Sequence, residues 1–212
     1  NWSFTSGTLD AGTYSITAIA TDTAGNTSDE SDELSLAIDS TAPSAPNTPD
    51  LASSTDTGSS TSDDITADTT PTFTGTAEAD STVEIFSDGS SLGTTTTDSD
   101  GNWSFTSGTL DAGTYSITAK ATDSAGNTSE VSSALSLTID STAPSAPSTP
   151  DLNSSTGDTT PTFTGTAEAD STVEIFSDGT SLGTATTDSN GDWTFNVSSA
   201  LDAETYSITA TS

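Results

Sequence analysis

The sequence predicts an all-β protein built from tandem sandwich modules. Three observations carry that reading. Hydrophobic residues alternate with a period of two and show no helical period. Turn dipeptides separate the alternating runs. Long stretches of the chain also recur: residues 1–18 return unchanged as 102–119, and residues 68–89 return as 158–179. Repetition on this scale sets the domain organisation. It divides the chain into the rear part of one module at 1–42, a complete module at 43–142, and a module lacking its last strand at 143–212.

In the complete module a first strand ends near Leu51. TFTGTA then sets Phe73, Gly75 and Ala77 on one face, STVEIF does the same for Val83 and Ile85, and Asp88-Gly89 turns the chain. SLGTTTT is a fourth strand leading into the turn DSDGN, after which NWSFT brings Trp103 and Phe105 inward. TYSITAKA aligns Tyr115, Ile117, Ala119 and Ala121, and ALSLTI aligns Leu135, Leu137 and Ile139. About seven short strands in a hundred residues, with turns between them, describe an immunoglobulin-like sandwich repeated along an elongated array. LDAGTY places Tyr115 where a tyrosine corner would stand, its hydroxyl free to bond backbone upstream. The third copy reads LDAETY, and Glu204 does not readily take a positive φ, so a differently built corner is expected there.

Composition alone argues for disorder: the formal net charge is -31 and only 29% of residues are hydrophobic. The alternation overrules it, because much of the strand-forming capacity is carried by Thr, which is β-branched without being strongly apolar. One basic residue, Lys120, faces 32 acids, so nucleic acid and anionic membranes are repelled and cations are the natural partners. No apolar run approaches the length of a membrane span. With no Cys, no disulfide reinforces the thin core. With no Cys or His, nucleophile and base pairs have little to draw on, and the protein is expected not to be an enzyme. The absence of Met and the opening NWSF, which recurs at Asn102, suggest a piece of a longer protein.

Following the strands up and down a sandwich collects acids at its ends. The turn containing Glu78 and Asp80, the DSDGN turn from Asp98, the TDSAGN turn around Asp123, and Asp39 from the entering linker all fall at one end. Asp88, Asp111, the segment with Asp56, Asp63 and Asp64, and the exit residue Asp140 fall at the other. In a tandem array Asp140 would therefore meet Glu168 and Asp170. Two carboxylates ~5 Å apart repel by roughly 3 kcal/mol at an effective dielectric near 20, so such a cluster calls for a cation. Six to eight hard oxygens on flexible loops suit calcium better than magnesium. The plainer reading of each turn stays open: Asp-Gly is a leading turn dipeptide, and overall acidity also serves as a solubilising surface.

TGTAEADSTVEIFSDG, DGNWSF, LDAGTYSITA, TDSAGNTS and IDSTAP, taken in order, resemble the bacterial Ig-like repeats of giant biofilm-associated surface adhesins, many of them exported by type I secretion. Ser53 to Pro71 also resembles that family's long first loop, which the third copy shortens to NSSTGDTT. The resemblance implies an extracellular, cell-surface stalk with calcium at the seams between neighbouring modules of one chain. Carried onto these residues, Asp39, Asp80 and Asp123 would bind at one junction and Asp140 and Asp170 at the next, with Glu78, Glu168 and Asn127 as further ligands. The expected function is a non-catalytic spacer. The alternative is a glycan- or protein-binding module that adheres directly, but nearly all the aromatic rings that would stack on a sugar are assigned to the core.

Overall fold

The computed structural model describes residues 1–58, 60–154 and 157–212. Ser59 of the long first loop, and Ser155 and Thr156 of its shortened counterpart, lie outside the described residues. The chain separates into two compact units, Asn1–Ser141 and Thr142–Ser212.

The first unit opens with a hairpin of β1 (Gly12–Ile16) and β2 (Leu34–Ile38), which form a two-stranded sheet of their own. The sandwich that follows contains β3 (Asp50–Leu51), β4 (Ile65–Thr66), β5 (Thr72–Thr76), β6 (Thr82–Ser87), β7 (Ser90–Thr96), β8 (Asn102–Thr106), β9 (Gly113–Thr122) and β10 (Leu135–Ile139). One sheet has the order β3-β5-β8, the other β4-β10-β9-β6-β7. Every pair is antiparallel except β4 with β10, which runs parallel. The core fills with residues of the expected parity: Phe73, Val83, Ile85, Ile117, Ala119 and Leu137 are each 0% exposed.

One element departs from the expected seven strands. β4 lies inside the Ser/Thr/Asp-rich segment that reads as loop, and it is only two residues long. It forms because Ile65 and Thr66 lie beside Thr138 and Ile139 at the open edge of β10. The pairing covers an edge that would otherwise be unpaired. No alternation in so short and polar a stretch announces it.

Past Ile117, β9 loses its direct ladder with β10, and serine hydroxyls take over. Ala119 N–H donates to Ser132 Oγ at 2.9 Å and Ala121 N–H to Ser129 Oγ at 3.0 Å. Tyr115 makes the corner bond, donating its hydroxyl to the Asp111 carbonyl at 2.8 Å. The entering linker is packed down: Pro43, Pro46 and Pro49 are all buried, and Asn47 exchanges bonds with Thr76, accepting from its N–H at 2.7 Å and donating to its carbonyl at 3.1 Å.

The second unit repeats this plan with β11 (Asp151–Leu152), β12 (Thr162–Thr166), β13 (Thr172–Ser177), β14 (Thr180–Thr186), β15 (Asp192–Asn196) and β16 (Ile208–Thr211). Its sheets are β11-β12-β15 and β14-β13-β16. The corner with Glu204 keeps its hydroxyl bond, Tyr206 to the Asp202 carbonyl at 3.2 Å, but the strand begins at Ile208, after the tyrosine rather than before it.

Candidate metal centre

The turns at Asp22, Asp98, Asp123 and Asp188 are built by one local device. A carboxylate at the end of a strand accepts the N–H groups of the residues two and four further on, and a glycine with positive φ closes the loop. Asp123 follows β9, and its Oδ1 accepts from Ala125 N–H at 2.9 Å and Asn127 N–H at 2.8 Å. Its Oδ2 accepts from Asn127 Nδ2 at 2.8 Å, and Gly126 takes φ 93°. The Asn127 side-chain bond is the main reason its carboxyl is held below the ordinary carboxylate range. Asp22 is built the same way on Asn26.

Asp39 follows β2 and accepts Thr41 N–H on Oδ1 at 2.9 Å. Its carbonyl accepts a second donor hydrogen of Asn127 Nδ2, at 3.2 Å. The amide of Asn127 thus ties the linker after the hairpin to the Asp123 turn across 88 residues. The structure thus joins two residues of one predicted junction, Asp39 and Asn127, by a hydrogen bond.

Glu78 and Asp80 share the turn between β5 and β6, both exposed, with Asp80 at φ 58°. That turn is clamped by Thr97, which donates its hydroxyl to the Glu78 carbonyl at 2.8 Å. Glu168 and Asp170 occupy the same turn in the second unit, with Asp170 at φ 61° and Thr187 Oγ1 bonding the Glu168 carbonyl at 2.7 Å. Asp140 leaves β10 in the first unit, donating its N–H to the Thr66 carbonyl at 2.9 Å. Among the described residues, no three carboxylates stand close enough together to hold a metal ion among themselves. The reason is local: Asp123 turns its oxygens into its own loop, and Asp39 turns one onto Thr41.

The donors nevertheless suit a hard cation. The Asp39 backbone carbonyl and an Asp123 carboxylate oxygen lie a single amide apart, hydrogen-bonded carboxylates retain lone pairs, and calcium draws on carbonyl and water oxygens as well. A second acidic neighbourhood was less legible in the sequence. Asp64 has its carboxyl pushed up, first by burial and then by the negative charges of Asp50, Asp56 and Asp63. Asp56 is 3% exposed. The sequence places Asp56 and Asp63 in the loop but gives no sign that Asp50, at the end of the proline-rich linker, joins them.

The turn carboxylates also set an acid limit on stability. Asp98 and Asp188 are lowered below 3.8 mainly by backbone N–H bonds from Asn102 and Asp192. A lowered folded pKa means the stabilisation is complete above 3.8 and is lost as pH falls through the lower, folded value. Melting temperature measured from about pH 5 down to about pH 2 is expected to fall less steeply for Asp98→Asn than for the unmodified chain. Parallel profiles would refute the assignment.

Two short-stranded antiparallel sheets, closed by a parallel edge strand and a tyrosine corner, define an immunoglobulin-like β-sandwich with acid-capped loops at its ends. More specifically, the chain belongs to the bacterial Ig-like domain family, whose family model matches residues 1–40, 42–141 and 143–212. No curated protein matches the chain. Among solved structures it is similar to one described as "Biofilm associated protein - BSP domain", at 24% identity and a TM-score of 0.31, covering 78% of this chain and 26% of that one. The chain therefore spans well under two thirds of that protein.

Proposed function

We propose that the chain is a run of non-catalytic spacer repeats from a bacterial cell-surface adhesin, stiffened by calcium where a linker meets the next module. The observation that carries this reading is the linker after β2. A flexible tether would leave it in solvent, yet Pro43, Pro46 and Pro49 are buried and Asn47 is bonded on both sides to Thr76. Proline fixes φ and removes donors, so such a linker has few alternative conformations to lose. Asn127 adds the tie to Asp39.

Asp39 and Asp123 would hold the ion, with Asp80, Glu78 and the Asn127 amide oxygen in supporting positions. Calcium would supply the positive charge that lets these acids approach, since the chain itself has only Lys120 to offer. The binding-module alternative draws little support from the rings of the complete module: Phe73 and Trp103 are buried, Phe105 and Tyr115 pack against the core, and Phe86, on the outward parity of β6, is half-buried.

The absence of cysteine makes a clean test possible. Spin labels at Ser15→Cys and Ser104→Cys report the distance between the β1–β2 hairpin and the sandwich by double electron–electron resonance. The expected distribution is narrow in calcium, broad in chelator, and broad in both for Asp123→Ala. A width that ignores calcium and follows ionic strength alone would show that the acids only solubilise.

A further inference from the structure

Among 212 residues the chain has one Lys or Arg, Lys120, and the repeats show that its strand does not need it. The segment TYSITAKAT at 114–122 reads TYSITAIAT at 13–21, and Thr211 stands at the equivalent place in the third copy. Lys120 therefore creates a single bond, Lys120–Ala121, that a protease specific for basic residues can recognise.

The fold closes that bond. Lys120 lies in β9 opposite Glu84 of β6, and Ala121 lies opposite Val83. Along the other edge of β9, Ala121 donates its N–H to Ser129 Oγ at 3.0 Å, and its carbonyl accepts from Ser129 N–H at 2.9 Å. Ser132 holds Ala119 in the same way, with both bonds at 2.9 Å. Ala119 and Ala121 are each 0% exposed. A protease takes its substrate as an extended strand and pairs with that strand's backbone. Here both edges of β9 are already engaged, so the half-buried lysine offers its side chain without the backbone that must accompany it. Drawing β9 out would separate β6 from β10 and empty the centre of the core, so access requires the module to unfold and not merely to fray.

We infer that Lys120–Ala121 is a concealed cleavage site for proteases that cut after basic residues, closed in the folded module and opened by its unfolding. The step is hydrolysis: water adds across the amide, the C–N bond breaks, Lys120 gains a carboxylate and Ala121 an ammonium group. The folded module resists such enzymes, whereas an unfolded one is cut once, into 1–120 and 121–212. The site thus converts loss of the module's fold into severance of the chain.

The test is timed digestion of the full chain with trypsin, read by intact mass. In native buffer the unmodified chain is expected to stay whole, and in urea above its unfolding midpoint to give only 1–120 and 121–212. Trp103→Ala, which weakens the module, should be cut at least about a hundred-fold faster in native buffer, because cleavage through an opened state follows the population of that state. A second variant separates fold from sequence. Ile19→Lys combined with Lys120→Thr moves TYSITAKAT to 13–21, where serines again hold Ala18 and Ala20 but β1 pairs only with β2 and residue 19 is 56% exposed. That chain is expected to be cut after residue 19 in native buffer. Cleavage of the unmodified chain in native buffer at the rate seen in urea, an unaltered rate for Trp103→Ala, or resistance of the relocated sequence would each overturn the assignment.

Discussion

Trp103→Ala is expected to destabilise the complete module by about 3–5 kcal/mol, the usual cost of deleting a buried indole, while Trp2→Ala leaves chemical denaturation of the chain unchanged. The two tryptophans sit in identical surroundings in sequence, since residues 1–18 and 102–119 are the same. Their structural surroundings are opposite. Trp103 is 3% exposed, on β8 opposite Gly75, whereas Trp2 is 79% exposed and lies in no strand. Phe4 at 82% exposure shows the same contrast with Phe105, which packs against the core. Equal losses for the two variants would mean that residues 1–4 are buried in a way the structure does not show.

The second large effect belongs to Gly75. A Cβ there would run into the Trp103 indole and come within 2.7 Å of Asn47 Oδ1. Gly75→Val should therefore cost about 1–3 kcal/mol or more by overpacking, and it should loosen the linker that Asn47 anchors to Thr76. The mechanism is checked by a double-mutant cycle. Trp103→Ala vacates the indole's share of the space, so Gly75→Ala should cost less in that background than in the unmodified chain, with only the Asn47 Oδ1 contact left to relax, a non-additivity expected of residues in contact. Additive losses would place the strain elsewhere, at Asn47 or in the backbone. Gly165 repeats the arrangement against Trp193 in the second unit, with Ser148 in place of Asn47.

Much of the fold was readable because its determinants are local. Side-chain parity along a strand follows from the pleat, and the Asp-Gly turns follow from backbone preferences. The alternation at Phe73, Val83, Ile85, Ile117 and Leu137 therefore identified core residues directly. The corner at Tyr115 was legible for the same reason, as its bond reaches only to Asp111. β4 was not legible, because its two residues become a strand only where β10 offers an edge.

The candidate site divides along the same line. Asp123 and Asn127 announce their turn in five residues, but the bond from Asn127 to the Asp39 carbonyl depends on how the linker is laid down. The sequence placed acids at the ends of the sandwich without showing where each carboxylate points, and several point back into their own turns.

The repeats, the sandwich and the acidic loop ends were settled by sequence alone, because alternation and turn chemistry act over a few residues. Only the tertiary structure decided that Ile65 and Thr66 form an edge strand on β10, and that Asp56 lies in the interior with no hydrogen-bond partner among the described residues. Burial and charge pairing are properties of what packs around a residue, and those neighbours come from strands far away in the chain.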